Sequence, residues 1–74
     1  MKHKRNIKGI KAFGKNVRRI RKLKGVTQED LSFLTGIELR QLGRIERGEI
    51  NTGISSVFEI AKALEVKEKD LFEF

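Results

Sequence analysis

A chain of 74 residues reads as one small domain, since at this size only roughly 60% of the unfolded surface is buried and one core is the most that forms. The absence of cysteine excludes disulfides, thiolate metal sites and a cysteine nucleophile, and no apolar run approaches the ~18 residues of a membrane span. The net charge of +7 is unevenly placed: eleven Lys/Arg and no acid up to Lys24, then six Lys/Arg against ten Asp/Glu. That asymmetry points to a polyanionic partner, nucleic acid or an anionic membrane surface, against the plainer alternative of a solubilising tail.

Enzymatic chemistry is not expected. The one histidine, His3, lies in a polar leader, and no phosphate-binding G-x-x-x-x-G-K-[ST] loop occurs, so neither a metal cluster, a nucleophile–base pair nor a cofactor is anticipated. The basic start is not followed by the apolar segment of a signal peptide. The expectation is a soluble, cytoplasmic protein.

In chain order, residues 1–9 read as a flexible basic arm bearing Lys2, Lys4, Arg5 and Lys8, and residues 10–74 as the folded domain. From Ile10, apolar residues at Phe13, Val17, Ile20 and Leu23 draw one stripe down a helix, and Gly25 supplies a left-handed stop. Thr27 offers an N-cap oxygen with Asp30 at the capping-box position, opening a second helix that ends at Gly36. Barely two turns long, that helix depends on its neighbours. Only Ile37 and Glu38 precede a third helix, with Leu42 and Ile45 inward, Leu39 able to join them, and Gly48 as the end. After the loop Glu49-Ile50-Asn51-Thr52-Gly53, a fourth helix is predicted from near Ser55 or Ser56, carrying Val57, Ile60, Ala61 and Leu64. A last turn, Glu68 to Phe74, adds Leu71 and Phe72. No segment alternates with period two, so the fold class is all-α, a compact bundle of about five short helices.

Two short helices joined by a glycine turn describe a helix-turn-helix, whose second helix fits a DNA major groove. The residues also resemble a known family, the lambda-repressor-like domains of the Cro and phage-repressor (XRE) group. The resemblance runs from about Phe13 to Phe72. Its carriers are R-x-x-K-G-V-T-Q-E-D-L (Arg21 to Leu31), G-I (Gly36-Ile37), R-I-E-R-G (Arg44 to Gly48), I-A-K-A-L-E-V (Ile60 to Val66) and D-L-F (Asp70 to Phe72).

The resemblance implies roles for individual residues. Glu38, Leu39, Arg40 and Arg44 match the outward positions of the recognition helix that meet base edges. Thr27, Gln28, Gln41, Arg47, Asn51 and Thr52 match positions that hold the phosphate backbone. Arg21 and Glu46 match a structural ion pair between the first and third helices. The sequence departs from the family pattern at Glu38, a poor N-cap, and at Gly43, costing about 1 kcal/mol against alanine inside a helix. Phe33 and Leu34 replace residues that are often charged, and serve either as an extra rim to the core or as a partner surface.

Arg40 and Arg44 lie one turn apart and share a face, where each guanidinium can fork onto O6 and N7 of a guanine. Leu39 suits a thymine methyl and Glu38 a cytosine amino group. The arm either follows phosphates, enters a minor groove, or attracts DNA only at long range. One motif covers few base pairs, so a homodimer on a palindromic site is expected, with Val66, Leu71, Phe72 and Phe74 as the candidate contact; the alternative is that Leu71 and Phe72 cap the monomer core and Phe74 frays. The leading reading is a sequence-specific regulator of bacterial or phage origin, binding double-stranded DNA as a repressor. The alternative is an antitoxin-like or coactivator-like module whose main ligand is another protein. An anionic-membrane role for the first helix is set aside, because the core needs its apolar stripe.

Overall fold

The computed structural model describes residues 5–74. Four α-helices and a 3-10 turn follow one another: α1 (Ile7–Leu23), α2 (Gln28–Thr35), α3 (Leu39–Glu46), α4 (Ile54–Leu64) and a C-terminal 3-10 turn (Glu68–Phe72). The fifth expected helix is therefore this tighter turn.

Helix α1 starts at Ile7, before the expected Ile10. The reason is Asn6, whose side-chain oxygen accepts from the Gly9 amide at 2.8 Å and caps the first turn. Lys8 therefore stands in a helix and not in the arm, while Lys2 and Lys4 lie outside the described residues. The stripe on α1 buries Phe13, Val17 and Ile20, but Leu23 is 73% exposed. Two successive three-residue steps from Val17 turn the position about 120° round the axis and carry Leu23 off the buried face.

Helix α2 opens with the reciprocal capping box anticipated at Thr27 and Asp30 and closes at Gly36, whose φ of 75° is left-handed. The turn to α3 is stitched by side chains. The Ser32 hydroxyl donates to the Ile37 carbonyl, and the Thr35 oxygen accepts from the Ile37 amide at 3.1 Å. Glu38 precedes α3 without making a side-chain cap. Helix α4 begins at Ile54, just before the predicted start, after Gly53.

The core is one cluster: Phe13, Val17 and Ile20 of α1, Leu31 of α2, Leu42 and Ile45 of α3, Val57, Ile60, Ala61 and Leu64 of α4, and Leu71 of the 3-10 turn. Helix α1 packs on α3 and on the 3-10 turn, α2 on α3 and α4, and α4 on the 3-10 turn. Each short helix gains from its neighbours the stability it lacks alone. Leu71 is fully buried in this core. It is a core residue and not the dimer contact anticipated for it, because the 3-10 turn folds back onto α1 and α4.

Candidate nucleic-acid interface

Helix α3 divides cleanly. Leu42 and Ile45 are buried and anchor it, whereas Glu38, Leu39, Arg40, Gln41 and Arg44 are exposed. Leu39 is 42% exposed, so it stands outward and does not join the inner face. A row containing two guanidinium groups is thereby presented on an anchored helix, the arrangement that duplex reading requires.

A buried charge cluster joins α3 to α1 and α2. Arg21 Nε donates to Glu46 Oε2 at 2.7 Å, and Nη2 donates to Oε1 at 3.0 Å. Its remaining Nη1 donates to the Val26 carbonyl at 2.9 Å. The Gln28 side-chain amide adds a 3.0 Å bond to Glu46 Oε1. One carboxylate thus ties α1, α2 and α3 together. Buried charge is costly unless its bonds are complete, and no buried side-chain nitrogen or oxygen among the described residues lacks a partner.

The residues matched to phosphate-binding positions are distributed around this clasp. Thr27 is exposed, its hydroxyl oxygen accepting from the Asp30 amide at 3.0 Å. Gln28 is half-buried and already engaged with Glu46. Arg47 is exposed after the end of α3, beside a cleft it lines with Arg18, Lys22 and Thr27. Arg18 and Lys22 thus place two exposed cations of α1 beside this cleft, which Glu29 also lines. Asn51 and Thr52 instead line a shallow apolar groove with Asn6, Ile54, Phe72 and Phe74. Arg5, the described member of the arm, donates to the Glu49 carbonyl at 3.3 Å.

Sequence reasoning overlooked Glu49. Its carboxylate accepts from Arg47 Nε at 2.8 Å and stands 3.7 Å from Arg44 Nε. The hydrogen bond from Arg47 holds the Glu49 carboxyl below its ordinary range, with the Arg47 and Arg44 charges adding to it. The same bond raises the Arg47 guanidinium. The available signal was the alternation of charge in R-I-E-R-G-E, which does not reveal which acid meets which base.

The C-terminal apolar edge is broader than expected. Phe72 is half exposed and packs against Phe13 with ring centroids 5.0 Å apart at 35°. Phe74, Ile54 and Phe58 are exposed and Val66 is half-buried. Phe33, at 88% exposure, and Leu34 belong to no part of the core.

The profile of the helix-turn-helix family matches residues 17–71. The chain belongs to that family, as a DNA-binding regulator and not an enzyme. Its relatives include the HTH-type transcriptional regulator y4dJ of Sinorhizobium fredii, 36% identical over 82% of this chain and 79% of that one. The control protein C.BamHI of Bacillus amyloliquefaciens is 40% identical over 84% of this chain and 78% of its own. Among solved structures, the restriction-modification controller protein C.AhdI of Aeromonas hydrophila superposes with a TM-score of 0.83 at 35% identity. It covers 85% of this chain and 96% of its own. An HTH_3 family transcriptional regulator from Vibrio cholerae gives a TM-score of 0.86 at 28% identity over 92% of this chain and 38% of its own. Among the described residues, no helix is long and apolar enough to cross a membrane.

Proposed function

We propose that the protein regulates transcription by binding a palindromic operator in double-stranded DNA as a homodimer, with α3 of each copy in the major groove. It acts in the bacterial cytoplasm, as a repressor where its site overlaps a promoter. The observation that carries this reading is the two-sided α3: Leu42 and Ile45 are locked in the core while Glu38, Leu39, Arg40, Gln41 and Arg44 stand outward. Glu38, Leu39, Arg40 and Arg44 read base edges. Thr27, Gln28, Gln41 and Arg47 hold phosphates, and the basic arm adds attraction.

Dimerisation supplies the second half-site. Phe72 and Phe74, continuous with Ile54 through their shared groove, form the apolar edge that a second copy covers. The likeness to two proteins named as controllers, one of them of restriction-modification, supports a narrower setting, control of the genes of such a system.

Selection from random duplex DNA followed by sequencing tests the reading. A palindrome with half-site centres about 34 Å apart is the expected outcome. Recovery of no motif favours the second reading, a protein-interaction module, for which the exposed Phe33 and Leu34 provide a surface.

A further inference from the structure

We infer that Glu49 is a specificity-determining residue, a carboxylate that binds the Arg47 guanidinium, faces that of Arg44, and disfavours duplexes that offer them phosphate alone. This rests on the reading of α3 as the base-contacting helix.

The backbone of Glu49 is held in place. Its amide donates to the Arg44 carbonyl at 2.9 Å, and the preceding Gly48 amide donates to the Ile45 carbonyl at 3.0 Å. Gly48 itself is left-handed, and a Cβ there would lie 2.7 Å from Lys11 Cα. The carboxylate is thereby placed just past the end of α3 and not left on a mobile loop.

From that point it engages Arg47 through Nε at 2.8 Å, with Nη2 at 3.5 Å, and faces Arg44 Nε at 3.7 Å. A guanidinium offers two forked edges. A carboxylate on the Nε side leaves the Nη1–Nη2 end able to fork onto a guanine or a phosphate. Arg44 and Arg47 are also neighbours on successive turns, and the single negative charge between them relieves their mutual repulsion.

The two kinds of complex feel this residue differently. Non-specific binding is a sum over cation–phosphate attractions, so an acid at the cationic end subtracts from it. In the specific complex Arg44 meets a guanine edge, which carries no net charge, so the carboxylate 3.7 Å from its Nε subtracts less there than where Arg44 meets phosphate. With side chains 49–60% exposed, these pairs contribute little in the free protein. Their effect grows when DNA displaces the surrounding water.

The test compares the full chain with Glu49→Gln, an isosteric neutral side chain, by fluorescence anisotropy over a salt series. The probes are the duplex recovered by selection and a scrambled duplex of equal length. The scrambled duplex should bind Glu49→Gln about threefold more tightly, while the selected duplex gains nothing, so that their affinity ratio falls by about threefold. Glu49→Ala should give the same fall, with unfolding midpoints of both variants matching the parent. Equal tightening on both duplexes, or no change on either, overturns the inference. Failure of the unaltered chain to prefer the selected duplex instead removes the α3 reading on which it stands.

Discussion

Gly14 of α1 lies directly against the carbonyl of Ile45 in α3. A Cβ built at Gly14 would overlap that oxygen and sit 2.8 Å from the Glu46 carbonyl oxygen. Both obstacles are backbone, so neither can turn aside. Gly14→Ala should therefore destabilise the fold by about 1–3 kcal/mol through overpacking, read as a lower denaturant midpoint with an unchanged slope. Gly43 offers the contrasting control. Its Cβ would meet only the tip of the Arg47 side chain, at 3.0 Å, so Gly43→Ala should raise stability by about 0.5–1 kcal/mol through helix propensity.

The clasp of Arg21, Glu46 and Gln28 should behave as a unit. Arg21→Ala leaves the Glu46 carboxylate buried without its main partner, and is expected to cost about 3–5 kcal/mol. Gln28→Ala removes one neutral donor from the same carboxylate and should cost about 1–3 kcal/mol. In equilibrium unfolding, the two losses should fall short of additivity, because they share Glu46. Simple addition would show that the bonds are independent.

Arg40 and Arg44 should differ from Gln28 in how they affect binding. Arg40→Ala and Arg44→Ala are each expected to relax preference at one position of each half-site, by about 1–3 kcal/mol. Gln28→Ala should weaken all duplexes alike. Competition binding against a panel of single-base variants separates the two patterns, and equal losses across the panel for Arg44→Ala would count against base reading.

Asn16 is the tie between α1 and the chain's last turn. Its Nδ2 donates to the carbonyls of Asp70 at 3.0 Å and Leu71 at 2.9 Å, while its Oδ1 accepts two bonds from Arg19. Asn16→Ala should cost about 1–3 kcal/mol, because two carbonyls lose their donor. Hydrogen exchange should accelerate first in residues 68–72. Unaltered protection there would show that Leu71 alone holds the turn.

The arm makes a separate prediction because Asn6 caps α1 and must be kept. Removal of residues 2–4 takes away Lys2 and Lys4 but spares the cap. If both lysines neutralise phosphates, the slope of log K against log salt should become shallower by about 1.8. An unchanged slope would mean that neither touches DNA.

Much of the fold was legible because its signals are local. Glycines after α1, α2 and α3, the Thr27–Asp30 box and the spacing of Val17, Ile20, Leu42 and Ile45 each specify conformation within a few residues. The R-I-E-R-G and T-Q-E-D-L segments likewise carry the resemblance without coordinates. Asn6 was equally local and was passed over, because the apolar stripe suggested a later start than the cap allowed.

The sequence by itself determined four amphipathic helices, a glycine turn before the third, and a cationic outer face on that helix. All of these follow from short-range periodicity and capping. Only the tertiary structure decided that Leu71 faces inward, that Gly14 must be bare, and that Glu46 gathers Arg21 and Gln28 while Glu49 takes Arg47. Those outcomes depend on which surfaces meet across long separations along the chain. A glycine in a helix or an acid among bases has no spacing rule that names its distant partner; packing selects it.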